Sequence, residues 1–130
     1  MAQFLSSEWL NLARELAEKY QFSAGDESGS IQFTISASPT GDIEYFWRIE
    51  NGQLVEIALG KLDNSDVTAT CSYDDAVQIS QGKLDISVAF MQGRLKFGGN
   101  MAFIMQLLPL LRDGSYAEWQ SELAAQTDFG

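Results

Sequence analysis

Histidine is absent from the chain, cysteine occurs once, at Cys71, and proline twice, at Pro39 and Pro109. The missing histidine removes the commonest general base and the commonest metal ligand. A single cysteine excludes an internal disulfide and fits a reducing compartment. Without histidine it cannot build a usual zinc site. Positive charge is also scarce: eight Lys and Arg stand against 18 Asp and Glu, a net charge of −10. Residues 1–65 hold ten acids and four bases, and residues 66–130 hold eight acids and four bases, so the halves carry −6 and −4. With no basic cluster in view, tight binding to nucleic acid or to anionic membrane is disfavoured. The acidic excess reads as a solubilising surface, with a docking face for a basic partner as the alternative. Long hydrophobic runs are missing too. The longest, Met101 to Leu111, is far short of the ~20 residues of a membrane-spanning helix. Met1 to Phe22 lacks a basic start and carries Glu8, Glu15 and Glu18, so it does not read as a signal peptide. The expectation is one soluble cytoplasmic domain over residues 1–130.

What is present alternates between two periods. Ser6-Ser7-Glu8 starts a helix, and Trp9, Leu12, Ala13, Leu16, Ala17 and Tyr20 follow at helical spacing. Ser23 to Ser30 reads as a loop. Ile31, Phe33, Ile35 and Ala37 then alternate with polar residues, as do Ile43, Tyr45, Trp47 and Ile49, the period of half-buried strands. Phe46 and Trp47 fall on opposite faces, so one of them is expected to meet a helix on the far side. Asn51-Gly52 is a hairpin signal, and Val55, Ile57 and Leu59 continue the alternation. Asp66 to Cys71 reads as a fourth strand. Ser72 caps a helix from Tyr73 to Gln81, with Asp74 and Asp75 near its positive end. Asp85 opens another helix that runs through Gln92. Arg94 to Phe97 reads as a fifth strand, Gly98-Gly99 leads into a helix from Asn100, and Ser115 opens a last helix. Strands and helices segregate, so the class is α+β.

The helix after Asn100 carries the functional question. Phe103, Leu107 and Leu110 make one apolar stripe; Met101, Ile104, Met105, Leu108 and Leu111 make a second. A helix lying on a sheet needs only one. The second either lines an internal cavity, packs in a central core, or lies exposed as an interface. Pro109 cannot donate to the carbonyl of Met105 and loosens the last turn. Methionines suit a wall that adapts to its guest. Phe90 and Met91, in the preceding short helix, face the same choice.

Chemistry finds little support. Cys71 sits in a strand with no neighbouring base, which reads as an inert thiol. Asp74-Asp75 reads as helix capping. Gly93 to Gly99 has three glycines but no phosphate-loop spacing.

Asp66-Val67-Thr68-Ala69-Thr70, then a short helix ending Gln81-Gly82-Lys83-Leu84, then Ala89-Phe90-Met91-Gln92-Gly93-Arg94-Leu95-Lys96-Phe97-Gly98-Gly99-Asn100-Met101 resembles the sterol carrier protein type 2 domain. The resemblance is specific over residues 66–108. It implies a five-stranded, mainly antiparallel sheet covered by helices, with a hydrophobic tunnel between them. It also implies binding and carriage of a fatty acid, a fatty acyl-coenzyme A or a sterol; the residues themselves point to no catalysis and no cofactor. Phe90, Met91, Leu95, Phe97, Met101, Phe103, Met105 and Leu107 match apolar family positions, whereas Leu108 and Pro109 depart from the family pattern. The cavity-wall candidates are Trp47, Val77, Phe90, Met91, Leu95, Phe97, Met101, Ile104, Met105, Leu108 and Leu111. The chain ends Asp128-Phe129-Gly130, not in a peroxisomal address, which favours a bacterial cytoplasmic setting. The rival readings are a dimerisation or scaffold module using the same helix face, an acidic inhibitor-type protein, and an accessory that presents lipid to a partner enzyme.

Overall fold

The computed structural model describes residues 1–20, 28–107 and 114–129. The elements in chain order are β1 (Ala2–Gln3), α1 (Ser7–Tyr20), β2 (Gly29–Ser38), β3 (Gly41–Glu50), β4 (Gln53–Leu59), β5 (Val67–Ser72), α2 (Tyr73–Ser80), α3 (Ile86–Met91), β6 (Leu95–Gly99), α4 (Met101–Leu107), α5 (Gly114–Ala125) and β7 (Thr127–Asp128). Five strands form one mixed sheet in the order β4-β3-β2-β5-β6. All neighbours are antiparallel except β2 and β5, which run parallel. The fold is α+β.

The β2-β3-β4 meander follows from alternation and tight turns. Asn51 and Gly52 both have positive φ, 50° and 78°, the backbone that a two-residue hairpin needs. The register places Phe33 beside Tyr45, and Ile31 beside Trp47. It continues through Ala69 to Phe97 on the other side. Ile31, Phe33, Tyr45, Trp47, Ile57, Ala69 and Phe97 therefore share one face, and the helices cover it. Helix α1 packs on β4 and against α5, α2 on β2 and β5, and α3 on β6.

The other face carries the crossover from β4 to β5. Gln32 alternates to that side and is buried. Its Nε2 donates to the carbonyls of Tyr45 and Gly60 at 3.0 Å each, and its Oε1 accepts from the Leu62 amide at 2.7 Å. Asp66 then closes the crossover on Ser30, accepting from that residue's amide at 2.9 Å. Phe46 also points to this side, near Gly60 and with the Arg48 guanidinium 6.0 Å from its ring. No helix is needed to meet it, because the crossover occupies the space the sequence reading assigned to one.

Two element boundaries depart from the pattern, and glycine explains both. Gly29 and Ser30, expected in a loop, open β2. The Phe103 ring sits 2.6 Å from where a Cβ on Gly29 would be, so any larger residue there would force that ring to shift. Gly98 and Gly99, expected as a linker, pair with Thr68 and Val67 inside β6. Asn100 then caps α4, its Oδ1 accepting from the Phe103 amide at 3.2 Å. The strands β1 and β7 have no counterpart in the sequence reading. They pair in parallel, Ala2 beside Thr127, and two residues are too few to show a period.

Replacing Gln32 with Leu keeps the volume but strands the Leu62 amide and two carbonyls. We expect a loss of about 3 kcal/mol, since each buried group left unpaired costs about 1–3 kcal/mol; urea unfolding of the variant beside the wild type measures it.

Candidate functional site

Between the helix-covered face of the sheet and α1, α2 and α5 lies a cavity of about 130 Å³. The sheet supplies Ile31, Phe33, Tyr45, Trp47, Leu95 and Phe97; the helices supply Trp9, Ile79, Ile86, Tyr116, Trp119 and Leu123. The aromatic rings brace one another. Phe33 stacks on Tyr45 at 4.7 Å and 8°, and tilts against Trp47 at 5.4 Å. Trp47 meets Trp119 edge-on at 6.0 Å, and Trp119 tilts against Tyr116 at 5.3 Å. Rings held edge against face keep a gap open because none can rotate to fill it without breaking its own contact.

Most polar groups near the cavity are tied back into the protein. The Trp9 indole donates to the Thr127 hydroxyl at 2.9 Å, and that hydroxyl donates to the Leu123 carbonyl. The Trp119 indole donates to the Ala13 carbonyl at 2.8 Å. The Gln120 amide donates across to the Ile79 carbonyl, joining α5 to α2. Tyr45 is buried and also lines the cavity. Burial pushes its phenol well above the ordinary range, with the charges of Cys71 and Tyr116 adding to the shift. Burial does the same to Tyr116, with a further push from Asp85. Both rings are therefore neutral across the physiological range.

The eleven expected wall residues separate into groups. Trp47, Leu95 and Phe97 line the cavity. Phe90 sits one layer back, its ring 5.4 Å from that of Phe97 and its outer edge in solvent. Val77 packs against the core without reaching the cavity. Ile104 is buried beside Phe103. Met91, Met101 and Met105 face outward, 84%, 51% and 62% exposed. Helix α4 thus turns one edge inward, at Phe103 and Ile104, and the expected second stripe is split between core and solvent. Leu108, Pro109 and Leu111 lie outside the described residues.

Sequence reasoning did not single out Trp9, Tyr116, Trp119 or Gln120. Tyr116, Trp119, Gln120 and Leu123 recur at three- and four-residue spacing, a signal that places them on one face of α5. It does not say that the face opposes Trp47.

With that geometry in place, the chain can be set beside known proteins. The pattern of the SCP-2 sterol transfer family matches residues 10–112. The chain belongs to that family. It is 36% identical over 92 residues to hydroxysteroid dehydrogenase-like protein 2 of Bos taurus, covering 71% of this chain and 19% of that relative. The chain therefore spans about a fifth of the length of such curated relatives. Among solved structures, the crystal structure of sterol carrier protein 2 superposes with a TM-score of 0.72 at 15% identity, over 97% of this chain and all of the other. A conserved hypothetical protein of Thermus thermophilus superposes with a TM-score of 0.75 at 16% identity, over 95% and 92% of the two chains. At those identities the likeness is one of fold. Family membership supports lipid binding in general terms. No described helix is long and apolar enough to cross a membrane.

Two other sequence candidates are placed plainly. Asp75 supplies its amide to the Ser72 cap at 3.2 Å, but its carboxylate accepts from Arg94 at 2.6 and 3.0 Å, tying α2 to the residue that leads into β6. Cys71 is buried, outside the cavity lining, and burial followed by the nearby Asp75 charge pushes its thiol up to about 11. A thiol at that value holds roughly a hundredth of the thiolate of an ordinary one at pH 8. We expect alkylation of native Cys71 by iodoacetamide to be at least a hundredfold slower than in urea-unfolded chain, measured by mass spectrometry over time.

Proposed function

We propose that this chain binds and carries a hydrophobic small molecule, of the fatty acid, fatty acyl-coenzyme A or sterol class, in the cavity between sheet and helices, without reacting it. The observation that carries the reading is the aromatic-lined cavity in a chain of the SCP-2 sterol transfer family. Among the described residues, the lining contains no Asp, Glu, Lys, Arg or Cys. The Ser80 and Thr127 hydroxyls there have no base beside them, so neither is an activated nucleophile. We also propose that residues 1–130 act as one domain in the cytoplasm, handing the ligand to a membrane or to a partner enzyme.

Affinity comes from apolar area removed from water, about 0.8 kcal/mol per methylene. A cavity near 150 Å³ holds a benzene-sized guest, so a full acyl chain must widen this one. A second reading, homodimerisation, draws on the outward Met101 and Met105 of α4. Sedimentation decides it, because a concentration-independent monomer removes that reading.

The lipid reading predicts quenching of Trp47 and Trp119 fluorescence by saturated chains added in a length series. Kd should fall about fourfold per added methylene until the cavity is full. Absence of any complex in native mass spectrometry, with fatty acids, acyl-coenzyme A and sterols all tried, would sink it.

A further inference from the structure

Between Asp85 and Asp113 the chain has no acid, while residues 86–112 hold three bases, Arg94, Lys96 and Arg112. The 18 acids and the other five bases lie elsewhere, so this stretch carries +3 and the remainder −13. The same stretch turns apolar side chains outward. Val88, Phe90 and Met91 of α3 and Met101 and Met105 of α4 are all exposed. β6 links the two helices. It is the last strand of the sheet, α3 packs on it, and α4 follows it after Asn100. The three elements therefore make one edge of the fold. Lys96 stands exposed in β6, on the side opposite Leu95 and Phe97. Arg94 is tied to Asp75, and Arg112 lies outside the described residues.

Other surfaces sort differently. The opposite edge, β4, also exposes Val55 and Leu59, but residues 42–56 hold Asp42, Glu44, Glu50 and Glu56 against Arg48 alone. The outward side of α1 carries Glu8, Glu15 and Glu18. At the β6 edge, exposed apolar area and the lack of carboxylates coincide. Apolar patches with a polar rim mark surfaces that something covers. A second copy fits poorly, because two such faces would meet base against base. A bilayer containing anionic lipid matches both features. Methionines adapt to the boundary between headgroups and acyl chains, and a lysine keeps its ammonium at headgroup level. The net charge of −10 repels such a surface at range, but at physiological salt a charge is felt over only about 8 Å. The face that touches therefore decides, and the acidic remainder orients the molecule by pointing away.

This edge is also the outer side of the cavity wall. Ile86 at the start of α3, and Leu95 and Phe97 of β6, line the cavity. Phe90 rests on Phe97 with its outer edge in solvent.

We propose that the α3–β6–α4 edge docks on an anionic lipid surface. This is contact by one face, weaker than the tight binding that the overall charge balance disfavours. Its use in loading and emptying the cavity rests on the lipid-binding reading; the docking itself does not.

The test is flotation of the full chain with vesicles of phosphatidylcholine alone, or with three parts in ten replaced by phosphatidylglycerol. Binding is expected on the anionic vesicles, at least fivefold weaker on the neutral ones, the effect of about one basic charge near the surface. Met91→Ser with Met105→Ser should weaken it at least tenfold with an unchanged urea midpoint, since both side chains already lie largely in water. Lys96→Glu should weaken it tenfold or more. Val55→Ser, on the opposite edge, should leave it unchanged. Equal binding to both vesicles, or full binding by the methionine or lysine variants, overturns the proposal. So does a dimer in sedimentation that the methionine variant splits, which gives the face to a second copy. A chain that stays off vesicles yet forms complexes with fatty acids or sterols in native mass spectrometry loses the docking face and keeps the lipid-binding reading. One that docks without forming any complex does the reverse.

Discussion

β2 and β5 run parallel, so no hairpin can join β4 to β5, and the chain must cross the sheet between them. It crosses on the face away from the helices, where Gln32 and Ser30 supply the polar partners that a loop lying on a sheet requires. Because the crossover takes that face, α1, α2, α3 and α5 are all left to the other. The cavity exists on the helical face for this reason. One buried glutamine holds the crossover on the face that the apolar side chains leave free.

On the helical side the walls are built of mutually contacting rings. Tyr45, Phe33, Trp47, Trp119 and Tyr116 form a continuous chain of ring contacts running from the sheet to α5. Aliphatic side chains could collapse inward by changing rotamer, but braced rings cannot. An unfilled space has a cost, of order 24 cal/mol per Å³. For a cavity of about 130 Å³ that comes to about 3 kcal/mol. A guest restores those contacts, so ligand binding and folding stability are coupled through the same space.

How much of this was legible in the chain depends on the range of the interaction. Strands β2 to β5 were readable because alternation is local, and the Asn51-Gly52 turn because positive φ is a property of the residues themselves. Trp47, Leu95 and Phe97 reach the cavity for the same reason: strand alternation places them on the apolar face. Helix α4 was harder. Its composition shows two apolar stripes, yet a helix chooses its inward edge by what lies beneath it. Here that edge is set by Gly29, about 70 residues upstream in sequence, which gives the Phe103 ring a seat. Met101 and Met105 then turn outward, and no local period could show it. Tyr116 and Trp119 were hidden differently. Their spacing is visible on α5, but their role depends on α5 packing against α1 and facing Trp47 across the sheet. The pair β1 and β7 is pure tertiary contact, and nothing two residues long carries a pattern.

Charge gives the last link between surface and site. At −10 overall, the protein's outer field opposes the approach of anions. Nearer in, a hollow beside the cavity holds Asp85. Innermost, neutral tyrosines and apolar walls offer no cation among the described residues. These three scales differ in range and in screening, since salt weakens the first and leaves the buried site largely untouched. They nevertheless act in the same direction. This chain keeps Arg94 for the Asp75 bridge and Lys19 for Glu122. Arg14 and Arg48 pair with Glu18 and Glu56 on the outer surface. The cavity is left to shape and apolar area.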